Sequence, residues 1–119
     1  AAKLSNSYEC FVSENSKIPF VVMPDAINAI VNLMSCNKKN LKNNVYNITS
    51  FSPTVKEFYN EIMLYNNDFM LTYNINKDRQ KIIDSWPGLL SDAIAKNEWG
   101  WQPQYNFKDS FQNYLFDKI

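Results

Sequence analysis

The sequence predicts an α/β fold, a small sheet with helices packed on it, in a single domain over residues 1–119. Three observations predict it. Short apolar, β-prone runs alternate with longer runs of helical period. Two helix starts carry explicit local signals. With 119 residues, 45% of them apolar and 15% aromatic, the chain can build one modest core.

Tyr8 to Val12 is a candidate strand, and Ser13 to Lys17 is turn-like. Ile18 to Met23 is β-prone, although Pro19 restricts its pairing. Pro24 suits the first position of a helix, and Asp25 follows in the first turn, where a negative charge matches the helix dipole. Ala26, Ile27, Ala29, Ile30, Leu33 and Met34 should form that helix's buried side. Asn37 to Asn44 is a polar loop, and Val45 to Ile48 reads as a further strand. Thr54 and Glu57 have capping-box spacing. Val55, Phe58, Tyr59, Ile62 and Met63 then mark the clearest amphipathic helix.

Phe69 to Tyr73 reads as a strand. Lys77 to Trp86 can hold a short helix ending before Pro87. Ser91 is a candidate cap for the next helix, with Asp92 in its first turn. Gly100 followed by Pro103 fits that helix's end. Asn106 can cap a last helix carrying Phe111, Tyr114 and Leu115 on one face.

Composition narrows the function. Twelve Lys and Arg balance twelve Asp and Glu, with no basic stripe, so neither a nucleic-acid nor a membrane-surface partner is expected. No histidine is present, which removes His bases and His metal ligands. Cys10 and Cys36 form no CxxC motif; reduced thiols are the simpler expectation, with a disulfide between them as the alternative. No apolar run approaches a membrane span, and no signal-peptide core opens the chain, so a cytosolic setting is expected. With only Gly88 and Gly100, no glycine-rich turn can admit a dinucleotide pyrophosphate.

Tyr73 and Lys77 match a Tyr-x-x-x-Lys pair, but catalysis by that pair needs both on one helix. Asn74 and Asn76 oppose a helix there, and we read the match as fortuitous. Asp92 and Glu98 read as caps and solvated faces. Asp84 adjoins Ser85-Trp86-Pro87, where a rigid turn sets the indole either into the core or toward a ligand. Arg79, the one arginine, suits a carboxylate or phosphate, or a structural ion pair. Trp99-Gly100-Trp101-Gln102-Pro103 reads as a packed corner that pins the last helix.

Taken in order, these strings resemble one family. Asp84-Ser85-Trp86-Pro87, then Asp92 and Ala95, then Trp99-Gly100-Trp101-Gln102-Pro103 resemble the C-terminal region of short-chain-type L-threonine dehydrogenases, within the wider NAD-dependent epimerase/dehydratase family. Ser13-Glu14-Asn15 through Ile18-Pro19, Met23-Pro24-Asp25-Ala26-Ile27, Val45 to Ser50 and Phe51-Ser52-Pro53 fit upstream segments, and Arg79-Gln80 sharpens the match. The resemblance runs from about Tyr8 onward.

It implies the C-terminal lobe of an extended short-chain dehydrogenase without its Rossmann half: a piece of a longer enzyme, inactive alone. NAD is implied for the whole enzyme, but no cofactor, catalytic or metal residue for this chain. The implied substrate-facing residues are Arg79, Asp84, Ser85, Trp86 and Pro87, with Met23, Pro24 and Asp25 at a strand-to-helix turn. The implied partners are an N-terminal Rossmann domain and a small amino-acid substrate; a homodimer is also compatible, as is a mitochondrial setting for a eukaryotic protein. Two other readings stay open: a nucleotide-sugar epimerase or dehydratase lobe, and a noncatalytic interaction domain.

Overall fold

The computed structural model describes residues 5–116. Two short strands, β1 (Ser7–Cys10) and β2 (Met70–Tyr73), pair in parallel, with Ser7 opposite Met70 and Cys10 opposite Tyr73. Parallel pairing requires a crossover, and residues 11–69 supply it. They carry α1 (Met23–Ser35), a 3-10 turn at Lys38–Asn40, and α2 (Val55–Tyr65). After β2 come α3 (Lys77–Ser85), α4 (Ala93–Trp99) and α5 (Phe107–Ser110), the last running into a π-helical turn at Phe111–Leu115. The α/β class is as predicted.

Two expected strands are not strands. Ile18 to Met23 gives only an isolated antiparallel bridge, Phe20 opposite Phe51, because Pro19 offers no N–H and Met23 already belongs to α1. Val45 to Ile48 joins no strand among the described residues. The buried side predicted for α1 also needs correcting. Ala29 is buried, but Ile27, Ile30 and Met34 are exposed, together with Met23 and Val31. Helical period reveals an apolar face; it does not say what covers that face.

Local signals fared better. The Thr54 hydroxyl accepts from Glu57 N–H at 3.1 Å, and the Glu57 carboxylate accepts from Thr54 N–H at 2.7 Å, a complete capping box. Gly100 ends α4 at φ 75°, the left-handed region where an L side chain is strained. Asn106 Oδ1 accepts from Asp109 N–H at 2.9 Å and caps α5. The α4 cap differs from expectation: the capping position is Asp92, while Ser91 makes only a long 3.5 Å contact with Ala93 N–H.

The interior has two parts. Ala29, Ala95 and Trp101 form one, flanked by Tyr46, Ile48 and Trp99. The other is an aromatic cluster in which Phe58 sits 5.3 Å from Phe20, 5.1 Å from Phe107 and 5.7 Å from Phe111, ring centre to ring centre. Asp25 ties the two parts together. Fully buried at the start of α1, its carboxylate accepts from the Ser50 hydroxyl at 3.1 Å, Gln104 N–H at 2.9 Å and Tyr105 N–H at 3.2 Å. Cys10 and Cys36 carry no disulfide.

Candidate functional site

Five of the eight residues singled out from sequence ride on α3 and the turn after it. Asn76 caps α3, accepting from Asp78 N–H at 3.1 Å and Arg79 N–H at 3.0 Å, and its own N–H donates to Phe11 O at 2.9 Å. Trp86 ends the helix, donating its N–H to Ile83 O at 3.1 Å in the extended conformation that a following proline favours. Trp86 is 52% exposed, so the indole is not part of the core. The turn it opens lies against residue 17: a Cβ built on Gly88 would stand 3.8 Å from the Lys17 carbonyl oxygen.

The polar residues of α3 are partly engaged. Asp84 Oδ1 accepts from Gln80 Nε2 at 2.7 Å. The Ser85 hydroxyl donates back to Ile82 O at 2.6 Å and so serves the helix end. The Arg79 guanidinium lies 4.5 Å from the centre of the Phe11 ring, a cation–π contact rather than the ion pair considered from sequence.

Met23 and Asp25 belong to α1, and the two differ. Met23 is exposed. Asp25 is closed to solvent, and its bonds to Ser50, Gln104 and Tyr105 shape the α1 entry. Tyr73 ends β2 and Lys77 begins α3, so the Tyr-x-x-x-Lys match is not on one helix. Burial raises the Tyr73 phenol above its ordinary 10.0, with help from the Glu14 charge, opposite in sign to what a proton-abstracting tyrosine requires. Among the described residues no His, Cys, Asp and Glu group is arranged to hold a metal.

Sequence reasoning missed two polar constellations. One is the Gln80 network, in which Oε1 accepts from Ser13 N–H at 2.8 Å and Nε2 donates to Ser16 Oγ at 3.0 Å. The other is at Glu98, which is not a merely solvated residue. Its carboxylate accepts from the Tyr46 hydroxyl, from Lys42 N–H at 2.9 Å and from Asn43 Nδ2 at 2.7 Å, clamping the 42–46 segment to α4. The Tyr46 bond, followed by Lys42 N–H, holds the Glu98 carboxyl below its ordinary 4.5. Burial, followed by the Glu98 bond, pushes the Tyr46 phenol above 10.0.

The signs define a pH window. A depressed carboxyl contributes stability above its ordinary 4.5 and loses it as pH falls through the depressed value; a raised phenol contributes below 10.0 and loses it as pH rises through the raised value. Glu98→Gln should therefore flatten the acid limb of the stability curve, with the urea midpoint falling less between about pH 5 and pH 3 than in the wild type. Equal acid slopes would show that the clamp does not contribute.

No protein-family model matches the chain. The structural matches are close and nearly complete. A GalE-like L-threonine dehydrogenase from Cupriavidus necator in its apo form superimposes with TM-score 0.91 and 31% identity, covering 99% of this chain and 43% of the other. L-threonine dehydrogenase from Phytophthora infestans gives 0.88 and 30%, covering 93% and 36%. The fold is thus α/β and superimposes on about two fifths of the length of these L-threonine dehydrogenases, or less.

The sequence relatives give the particular branch: they are L-threonine 3-dehydrogenases and epimerase/dehydratases. The mitochondrial L-threonine 3-dehydrogenase of Sus scrofa is 29% identical over 102 residues, covering 86% of this chain and 27% of that protein. An uncharacterized epimerase/dehydratase of Staphylococcus saprophyticus is 37% identical over 100 residues, covering 83% and 31%. The chain therefore spans about a third of the length of these curated relatives, or less.

Proposed function

We propose that this chain is the substrate-binding lobe of an NAD-dependent oxidoreductase of the L-threonine 3-dehydrogenase type, which converts L-threonine to 2-amino-3-ketobutyrate, and that the lobe alone is inactive. The observation carrying the proposal is the half-exposed Trp86 at the end of α3, within Asp84-Ser85-Trp86-Pro87, on a fold matching threonine dehydrogenases over nearly all its length. In this reading Trp86 and Pro87 wall the amino-acid pocket, and Arg79, Asp84 and Ser85 line its polar side. Met23 stands at its rim, and Asp25 acts from within by fixing the start of α1. The two glycines cannot form a dinucleotide cradle: Gly100 ends a helix and Gly88 lies in an isolated turn. In this reading NAD is held by the N-terminal domain rather than by these glycines.

The partner in this reading is a nucleotide-binding domain, N-terminal in the same protein, placed against α1 and residues 45–49. Shape and surface support it. The lobe is a slab of 52 × 33 × 16 Å with a radius of gyration of 16.8 Å, where a self-contained domain of this length has about 13.5 Å. Its accessible surface is 8274 Å², against about 6,700 Å² for a monomer of this mass. The apolar stripe of α1 and the 45–49 segment, with Val45 80% exposed, are features that a neighbouring sheet would cover. No helix among the described residues is long and apolar enough to cross a membrane. A cytosolic or mitochondrial setting and a homodimer remain part of the proposal.

A nucleotide-sugar epimerase or dehydratase is the second reading, favoured by the 37% identity to the staphylococcal relative. Binding an anionic diphosphate calls for a cluster of cations, and the chain's one arginine is turned onto Phe11. Kinetics on the complete natural gene product separate the two. Trp86→Ala should raise the KM for threonine about tenfold, the effect of roughly 1.4 kcal/mol of lost contact, with the fold retained. Unchanged threonine kinetics would remove Trp86 from the pocket.

A further inference from the structure

Helix α3 carries most of the proposed pocket, yet none of its residues is buried. Beneath it, Ile83 faces an apolar cavity of about 210 Å³ whose walls include Phe11, Val12, Ile18, Phe20 and Phe58. The apolar packing of α3 against the body thus includes the partly buried Ile83. The described polar contacts add to it. At its first turn, Asn76 N–H reaches Phe11 O and Arg79 lies on the Phe11 ring. One turn before its end, a single side chain joins the helix to the loop after β1.

That side chain is Gln80. Its carbonyl oxygen accepts from Ser13 N–H at 2.8 Å. Its amide nitrogen donates both to Ser16 Oγ at 3.0 Å and to Asp84 Oδ1 at 2.7 Å. A primary amide is suited to this place because it presents an acceptor to the loop and two donors to oxygen atoms. Glutamate would satisfy Ser13 but place a second carboxylate against Asp84, and alanine would serve neither side.

We infer that Gln80 is a positioning residue for the amino-acid substrate: by tying Asp84 to the Ser13–Ser16 loop, it sets where Asp84 and the Trp86 wall stand. The inference rests on the proposed threonine oxidation. Gln80 touches no substrate itself; it acts through Asp84.

The test uses the complete natural gene product as wild type, Gln80→Ala, Asp84→Ala and the double variant, with initial-rate kinetics on threonine and amide hydrogen exchange. Gln80→Ala should speed exchange of the Ser13 amide at least tenfold and raise the KM for threonine at least fivefold, with kcat within twofold. In the Asp84→Ala background it should raise KM no further, a coupling that a general loss of stability would not produce. An unchanged KM in Gln80→Ala, or equal increases in both backgrounds, overturns the inference. Should Gln80→Ala fail to fold, Gln80→Glu, which keeps the acceptor for Ser13, replaces it and should raise KM at least as much; a wild-type KM would overturn the inference. A wild-type protein that does not oxidise threonine overturns the function reading and this inference with it, and is recognised before any variant is compared.

Discussion

Replacing Trp101 by alanine is expected to cost about 4 kcal/mol and to lower the thermal midpoint by roughly 15 °C. The indole is fully buried between Ala29 and Ala95, with Trp99 packed beside it at 5.9 Å between ring centres. Its Nε1 donates to Asp92 Oδ2 at 3.1 Å, and Lys96 Nζ holds the other oxygen of that carboxylate at 2.9 Å. Alanine would open a large cavity and leave a mostly buried carboxylate short of a donor. Trp101→Phe should recover much of the packing but not the hydrogen bond, and should fall between alanine and the wild type. Differential scanning calorimetry on the three proteins measures the order; equal midpoints would show that this corner does not hold α1 to α4.

Asp25→Ala is the second large effect, about 3 kcal/mol. Three donors converge on this carboxylate, two of them backbone N–H groups of Gln104 and Tyr105 that have no side chain of their own to change. Without it they lose their acceptor in a closed site, and each orphaned group costs about 1 kcal/mol or more. Asp25→Asn keeps one acceptor oxygen and presents a donor where an acceptor is needed, so it should recover only part of the loss. Urea titration monitored by tryptophan fluorescence checks both. A midpoint for Asp25→Ala within error of the wild type would remove Asp25 as the joint between the two parts of the interior.

These two residues show what a sequence discloses. Pro24 and Asp25 announced a helix start, and Trp99 to Pro103 announced a packed corner, because the causes lie within a few residues. The Thr54–Glu57 box and the Gly100 stop were legible for the same reason. What joins them is not local. Asp25 meets residues 79 and 80 positions away, Gln80 meets Ser13 across 67, and Glu98 meets Tyr46 across 52. None of these pairings has a periodicity, so Glu98 read as a solvated residue, while Gln80 and Tyr46 entered only as members of a matched string and an expected strand.

The misread segments share one physical origin. Val45 to Ile48 has strand composition, but a strand exists only when another strand pairs with it. The face of α1 is apolar at helical spacing, yet Ile27, Ile30 and Met34 are exposed. Composition records what these residues favour as neighbours, not whether such neighbours are there. The same limit applies to the proposed pocket: Asp84-Ser85-Trp86-Pro87 was visible as a string, whereas the bond to Asp84 comes from Gln80, which also meets a loop folded from the other end of the chain.

The measurement that tests the account most directly is the initial rate of NAD+ reduction by the complete natural gene product, followed as NADH absorbance, with L-threonine and with a nucleotide sugar as alternative substrates. The account predicts saturable, threonine-dependent NADH formation and no reaction with the nucleotide sugar. A protein that converts the nucleotide sugar and leaves threonine untouched would contradict it.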